Sequence, residues 1–346
     1  MTNLKKAGVL DELAIYQPYD DEISCDDISA IANGEFKNEW HKTVFDYFYS
    51  HVSAVGNPIS LQMFLLTHAD HSGEYKRANK LFTDRLFAVH KPLFFLDVDN
   101  TLTNFAHLSD EKKEFISRYD QKERIILTTG KTYDSIKNVI NDCALQGSLS
   151  SCLNGSLVVE NGNQSAIAKI GEISEQIVAE FSTAPFTCVV YYHDAIRPIS
   201  TLTDDNLKML EKYNESYIIE KQIDFSKVIK ILFFIYEGES EKEALVEKII
   251  APYPDLTCMR TAGHTFEVLR KNQHKGNTVK YISAKLGRYY RTTIGVGDSM
   301  NDEQLLNYVG KPFVVSTASN SLKSFGYPEL EKNRDIDIVN LIKQYT

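Results

Sequence analysis

Two textures of apolar and polar positions divide the chain near residue 91. Before it, apolar residues recur at helical spacing. In FKNEWHKTVFDYFYSHV, Phe36, Trp40, Val44, Phe48 and Val52 stand four apart and form the stripe of an amphipathic helix. Tyr75, Leu81, Phe82, Leu86 and Phe87 predict a further helix, which Pro92 closes. After residue 91, short apolar runs alternate with polar, helix-periodic segments. LFFLDVD, a helix near 110–119, RIILTTG and a helix near 132–145 follow in order. Parallel strands buried on both faces read as continuous apolar runs, and their alternation with helices predicts βαβ units.

CLNGSLVVENG then reads as hairpin-like, with Asn154–Gly155 and Asn161–Gly162 as turn signals. From about 169 to 268 the order changes. A helix near 173–182, the strand FTCVVYYH, a helix near 203–213, the strand KVIKILFFIY, a helix near 240–250 and the strands LTCMR and TFEVLR predict a helix-covered antiparallel sheet inserted into the first domain. The strand–helix alternation resumes with a helix near 276–286, TTIGVGD, a helix near 301–308, PFVV and a last helix near 336–344. The fold class is α/β, with a parallel sheet as its core.

A length of 346 residues accommodates these units, and 43% hydrophobic with 25% charged residues is ordinary for a globular protein. No apolar run approaches the roughly 20 residues of a membrane-spanning helix, so no membrane role is expected. The start, MTNLKKAGVLDELAIY, lacks a sustained apolar stretch and reads as no secretory signal. Cys25, Cys143, Cys152, Cys188 and Cys258 are scattered, with no CxxC, and read as reduced thiols of a cytoplasmic protein. The net charge of −9 argues against nucleic-acid binding. It also means that an anionic substrate has to be attracted by a local device, a metal ion and a placed lysine.

Candidate chemistry lies where apolar strands end. LFFL runs into Asp97 and Asp99, RIIL into Thr128, Thr129 and Gly130, and TIGVG into Asp298, with Asn301 and Asp302 just beyond. The crevice at the carboxyl ends of an open parallel sheet is where ligands bind. A carboxylate at Asp97 can attack phosphorus and form an aspartyl-phosphate. Asp99 can protonate the leaving oxygen and later activate water. These carboxylates and Asp298 repel one another unless a divalent cation lies between them, and Mg²⁺ favours such oxygen ligands. Thr129 and the Gly130 N–H can donate to phosphoryl oxygens, and Lys275, opening a helix in HKGNTVKYI, can neutralise their charge.

DVDNTLT at 97–103, TTGK at 128–131, the lone Lys275 and GDSMND at 297–302 together resemble the four ordered motifs of the haloacid dehalogenase superfamily. The strand–helix order between Thr129 and Lys275 is similar to the large α/β cap of its Cof-type, IIB-like branch, and LNGSLVVENG and the stretch from KVIKILFFIY to TFEVLRKNQHKG resemble that branch too. The resemblance covers roughly 91–346. It implies a Rossmann-like core at 91–168 and 269–346, a cap domain at 169–268 and a helical extension at 1–90. It makes Asp97 the nucleophile and Asp99 the acid/base, with Thr129 and Lys275 completing the catalytic set. Mg²⁺ would be held by Asp97, the Asp99 backbone carbonyl and Asp298, with Asp302 a ligand or the brace behind them. Gly130, Lys131, Asn154, Gly155 and Asn301 would contact the phosphoryl group or the substrate. Two positions depart from the branch: Asn100 replaces a common glycine, and Lys131 replaces the usual arginine, trading a bidentate fork for a point charge.

The expected activity is Mg²⁺-dependent hydrolysis of a small phosphorylated metabolite, with a sugar phosphate as the favoured class. A phosphomutase is the rival within the superfamily. It needs a cap that grips a second phosphate, yet Arg197 and Arg260 are the only arginines of the cap. A rival of another class makes residues 1–90 an interaction module, for self-association or a protein partner, that carries a regulatory phosphatase. His68, Asp70 and His71 could bind a metal, but the favoured reading is ordinary helix-surface residues; Tyr191, Tyr192, His193 and Asp194 end a strand and could touch substrate, with a plain strand end the favoured reading.

Overall fold

The computed structural model describes residues 91–345, except 105–106, 182–186, 213–214, 237, 263–264, 272 and 287–291. The helical reading of residues 1–90, including the Phe36–Val52 stripe and His68, Asp70 and His71, lies outside the described residues. Residues 93–282 and 293–346 belong to one compact unit, which carries everything that follows.

The elements follow the two periodicities of the sequence. β1 (Leu93–Asp97) leads into a tight turn at Val98–Leu102 and then α1 (Asp110–Arg118). Ser109 caps α1 by accepting from the Lys112 N–H, and Asp110 and Glu111 favour its positive end. Next come β2 (Ile125–Thr128), α2 (Lys137–Asp142), β3 (Ser150–Cys152), β4 (Leu157–Glu160) and β5 (Asn163–Ala166). The turn between β4 and β5 is Asn161–Gly162, both at positive φ, as an Asn-Gly hairpin requires. α3 (Ile173–Phe181), β6 (Thr187–Tyr191), β7 (Ile196–Pro198), α4 (Asp204–Lys212), β8 (Lys230–Phe234), α5 (Ser240–Ile250), β9 (Leu256–Ala262) and β10 (Thr265–Arg270) form the middle of the chain. α6 (Lys275–Lys285), β11 (Thr293–Gly297), α7 (Glu303–Tyr308), β12 (Lys311–Val314), α8 (Asn320–Lys323) and α9 (Asp337–Gln344) complete it.

Two sheets result. The first has seven strands in the order β12-β11-β1-β2-β3-β4-β5. Its pairs from β12 to β3 are parallel, and the β3-β4-β5 edge is antiparallel. β1, β2 and β11 are buried along their whole lengths, which is why they read as unbroken apolar runs. The second sheet is antiparallel, in the order β7-β6-β8-β10-β9, and all its strands lie between β5 and β11 in sequence. It has a core of its own, in which Phe233 packs on Phe181 with ring centroids 4.4 Å apart and Val190, Ile231 and Val268 are fully buried.

Two short strands depart from the sequence reading. NQSA forms β5, although it is polar and alternates exposed with half-buried residues, and IRP forms β7. Both are edge strands, where a polar run and a proline are tolerated.

Candidate active site

The parallel order places three strand ends side by side. Asp97 ends β1 and pairs with Thr128 at the end of β2, while β11 ends at Gly297 on the other flank of β1. The side chains that follow these ends meet in a cavity of about 270 Å³. Asp97, Asp99, Lys275, Asp298 and Asn301 line one wall, with Gly130, Lys131 and Asn154 beside them.

Asp97 is buried, and Lys275 stands against it with Nζ 2.5 Å from Asp97 Oδ1 and 2.6 Å from Asp302 Oδ1. The other oxygen of Asp302 accepts from the backbone N–H groups of Asp298 and Ser299, at 3.0 and 3.2 Å. Both oxygens of Asp302 are thus engaged, and the residue braces Lys275 and the loop of Asp298. The close approach depends on Gly297, where an added Cβ would fall 2.4 Å from Asp302 Cβ. Behind Asp97 the chain turns sharply. Asn100 has φ 56° and ψ 3°, a left-handed conformation that glycine and asparagine adopt most readily, so asparagine suits the turn as well as the glycine that the motif resemblance leads one to expect.

The charges are unbalanced. Burial pushes the Asp97 carboxyl well above the usual range, Asp302 pushes it further, and Lys275 only partly offsets them. Burial and Asp302 likewise raise Asp298, to about 7. Burial alone would lower the Lys275 ammonium, but Asp302 and Asp97 outweigh it and hold it well above its ordinary value. Asp97, Asp298 and Asp302 present oxygens that all lie within 4.8 Å of one another. An oxygen-only donor set with surplus negative charge fits a hard divalent cation.

Other expected residues sit differently. Thr129 is buried behind the cavity, and its Oγ1 accepts from the Lys131 N–H at 3.1 Å. The Lys131 ammonium is 2.7 Å from Asp99 Oδ1, so it is ion-paired with the expected acid/base. Asn301 accepts from Ser299 Oγ at 2.6 Å. Gly155 is not part of the cavity wall. It has φ 87°, and an added Cβ would lie 2.4 Å from the His274 carbonyl oxygen, so it lets the β3–β4 turn pack against the start of α6.

The opposite wall comes from the second sheet. Lys230 on β8 and Glu267 on β10 form a buried ion pair, 2.6 Å apart. Lys230 also donates to the Gly130 carbonyl at 3.1 Å, and Glu267 accepts from Asn154 Nδ2 at 3.0 Å. Glu215 accepts from Ser135 Oγ and Thr132 Oγ1, and its burial raises the carboxyl. Apart from the Lys230–Glu267 pair itself, these contacts tie the second sheet's segment to the segments that follow β2 and β3. Tyr191 also lines the cavity, with Lys230 Nζ 4.3 Å from its ring centre. Of the four residues at that strand end, Tyr191 is the one that lines the cavity. Sequence reasoning missed this wall, although a charge inside each of two apolar strands, Lys230 in KILFF and Glu267 in TFEVLR, marks it.

Comparison with known proteins agrees with this geometry. The family model for haloacid dehalogenase-like hydrolases matches residues 94–340, and the chain belongs to that family. It is a hydrolase by descent, as the ordered motifs imply. A provisionally assigned phosphatase of Haemophilus influenzae is 25% identical over 248 residues, which cover 68% of this chain and 88% of that protein. A haloacid dehalogenase-like hydrolase from Bacteroides thetaiotaomicron superposes with a TM-score of 0.64 at 18% identity, over 74% of this chain and 100% of that one. A sugar phosphatase of HAD subclass IIB superposes with a TM-score of 0.60 at 17% identity, over 74% and 99%. These two likenesses establish a shared fold.

Proposed function

We propose that this chain is a Mg²⁺-dependent phosphate-monoester hydrolase. It acts on a small phosphorylated metabolite, a sugar phosphate, through an aspartyl-phosphate on Asp97. The observation that carries the reading is Asp97 at the end of β1, buried, held by Lys275 and flanked by Asp298 in a cavity that Asp99 also lines. Relatives named as phosphatases support the reaction class, and the subclass IIB sugar phosphatase supports the substrate class.

The Asp97 oxygen not engaged by Lys275 attacks phosphorus, and the bond from phosphorus to the ester oxygen breaks. Asp99 gives that departing oxygen its proton. Asp99 then takes a proton from water, which attacks the phosphorus of the aspartyl-phosphate, releases inorganic phosphate and restores the Asp97 carboxylate. Lys275 stays charged throughout and offsets negative charge as it spreads over the phosphoryl oxygens. The Gly130 N–H and the amide of Asn301, both at the cavity wall, are donors on hand for those oxygens, while Thr129 sits behind them and orients the loop through the Lys131 N–H. Asp97, Asp298 and the Asp99 carbonyl would hold Mg²⁺, braced by Asp302, and the bound ion neutralises charge on the phosphoryl group.

The second sheet with its helices, residues 169–268, acts as the cap, and Lys230, Glu267, Glu215 and Tyr191 face the leaving group. Hydrolysis is favoured over phosphomutase chemistry because both cap arginines are engaged elsewhere. Arg197 is buried in ion pairs with Asp194 and Glu220, Arg260 pairs with Glu243, and neither lines the cavity. We place the protein in the cytoplasm; among the described residues no helix is long and apolar enough to cross a membrane. Phosphate release across a panel of phosphorylated metabolites, with and without Mg²⁺, tests the reading. Turnover that needs Mg²⁺ and disappears in Asp97→Asn is expected. Metal-independent turnover, or a fully active variant, contradicts it.

A further inference from the structure

The turn that carries Asp99 is gripped by Arg334, from far away in the chain, and by Lys112, from the helix that follows it. Arg334 Nη2 donates to the carbonyl oxygens of both Asn100 and Thr101, each at 2.7 Å. Lys112 Nζ donates to the next carbonyl, that of Leu102, at 3.1 Å. Three consecutive peptide oxygens of the Val98–Leu102 turn are therefore held by two cations. The cations share one anion. Asp337 Oδ1 lies 2.9 Å from Lys112 Nζ, its Oδ2 pairs with Arg334 Nη1, and its side chain is fully buried. Asp337 is itself fixed, since it sits in the first turn of α9 and its Oδ1 accepts from the Ile338 N–H at 2.7 Å.

A charge triad with two of its three members buried is expensive to desolvate and is a poor way to gain stability. What it supplies here is direction, because it fixes three successive peptide planes of the turn that follows Asp99, from residues that do not themselves line the cavity. Asp99 precedes them, and its side chain is less restrained, being paired with Lys131 at the cavity edge. A proton donor displaced by about 1 Å loses on the order of a hundredfold in rate.

We infer that Arg334, held by Asp337 and Lys112, is a positioning residue that aims Asp99 at the leaving oxygen. This rests on the proposed role of Asp99 as the general acid. No motif marks Arg334, which lies in the exposed stretch before α9.

The test compares kcat/KM for two esters, because an aryl phosphate with a good leaving group needs little help from an acid and an alkyl phosphate needs much. With Mg²⁺ present, Arg334→Met is expected to lose about ten- to a hundredfold on glycerol phosphate and only a few-fold on para-nitrophenyl phosphate. Arg334→Lys, which keeps a cation, is expected to recover part of the loss. The ratio of the two rates does not depend on how much of a variant is folded, so a merely structural role lowers both alike. Equal losses, or none, overturn the inference if Asp99→Asn shows the selective loss. If Asp99→Asn also fails to discriminate between the esters, or the wild type hydrolyses neither, the reading of Asp99 falls and takes the inference with it.

Discussion

Lys275 stands between Asp97 and Asp302, within 2.6 Å of a carboxylate oxygen of each, and all three side chains are buried. It is the cation in contact with the expected nucleophile, and burial together with Asp302 already pushes the Asp97 carboxyl up. Removing Lys275 leaves two buried carboxylates facing each other. Lys275→Met is expected to lower kcat at least a hundredfold and to cost about 3–5 kcal/mol of stability in urea melts without divalent cations. Mg²⁺ should raise the stability of the variant more than that of the wild type, because it restores counter-charge. A variant as active and as stable as the wild type contradicts this placement.

Gly155 supports the site from outside the cavity. Its positive φ and the closeness of the His274 carbonyl leave no room for a side chain. Gly155→Ala is expected to lose about 2–4 kcal/mol, from backbone strain plus the shift that relieves the clash. Denaturant melts measure the loss, and a change below about 0.5 kcal/mol counts against the tight packing of the β3–β4 turn on α6.

The strand ends were legible because buried parallel strands are continuous apolar runs, so the polar residue that stops each run announces itself. Asp97, Thr128 and Asp298 are found in this way, and the helix at Lys275 follows from the 3.6-residue period. The opposite wall was not legible. Lys230 meets Glu267 from 37 positions away, and Glu267 meets Asn154 from 113. No local pattern encodes such a distance. Arg334 is hidden for the same reason, since it touches Thr101 across 233 positions. β5 escaped because an edge strand need not be apolar, and Gly155 because a turn glycine next to a motif looks like part of it.

His274 makes acid stability testable. Burial, with help from Lys280, lowers its imidazole to about 4, so the folded protein resists a proton that the unfolded chain accepts near 6.5. As pH falls below 6.5 the unfolded state binds more protons, and stability is lost. Between pH 7 and 5 this group alone is expected to cost about 2 kcal/mol. His274→Gln should flatten that part of the stability profile, measured by urea melts at both pH values. An unchanged slope contradicts the neutral imidazole of the folded state.

The central claim is that Asp97 carries the phosphoryl group. Acid-quenching the enzyme within a single turnover of a radiolabelled phosphate ester, in the presence of Mg²⁺, tests it most directly. Label held on the protein, released by hydroxylamine as an acyl phosphate and mapped to Asp97 is the predicted result. Label that maps elsewhere, or its persistence in Asp97→Asn, contradicts the account.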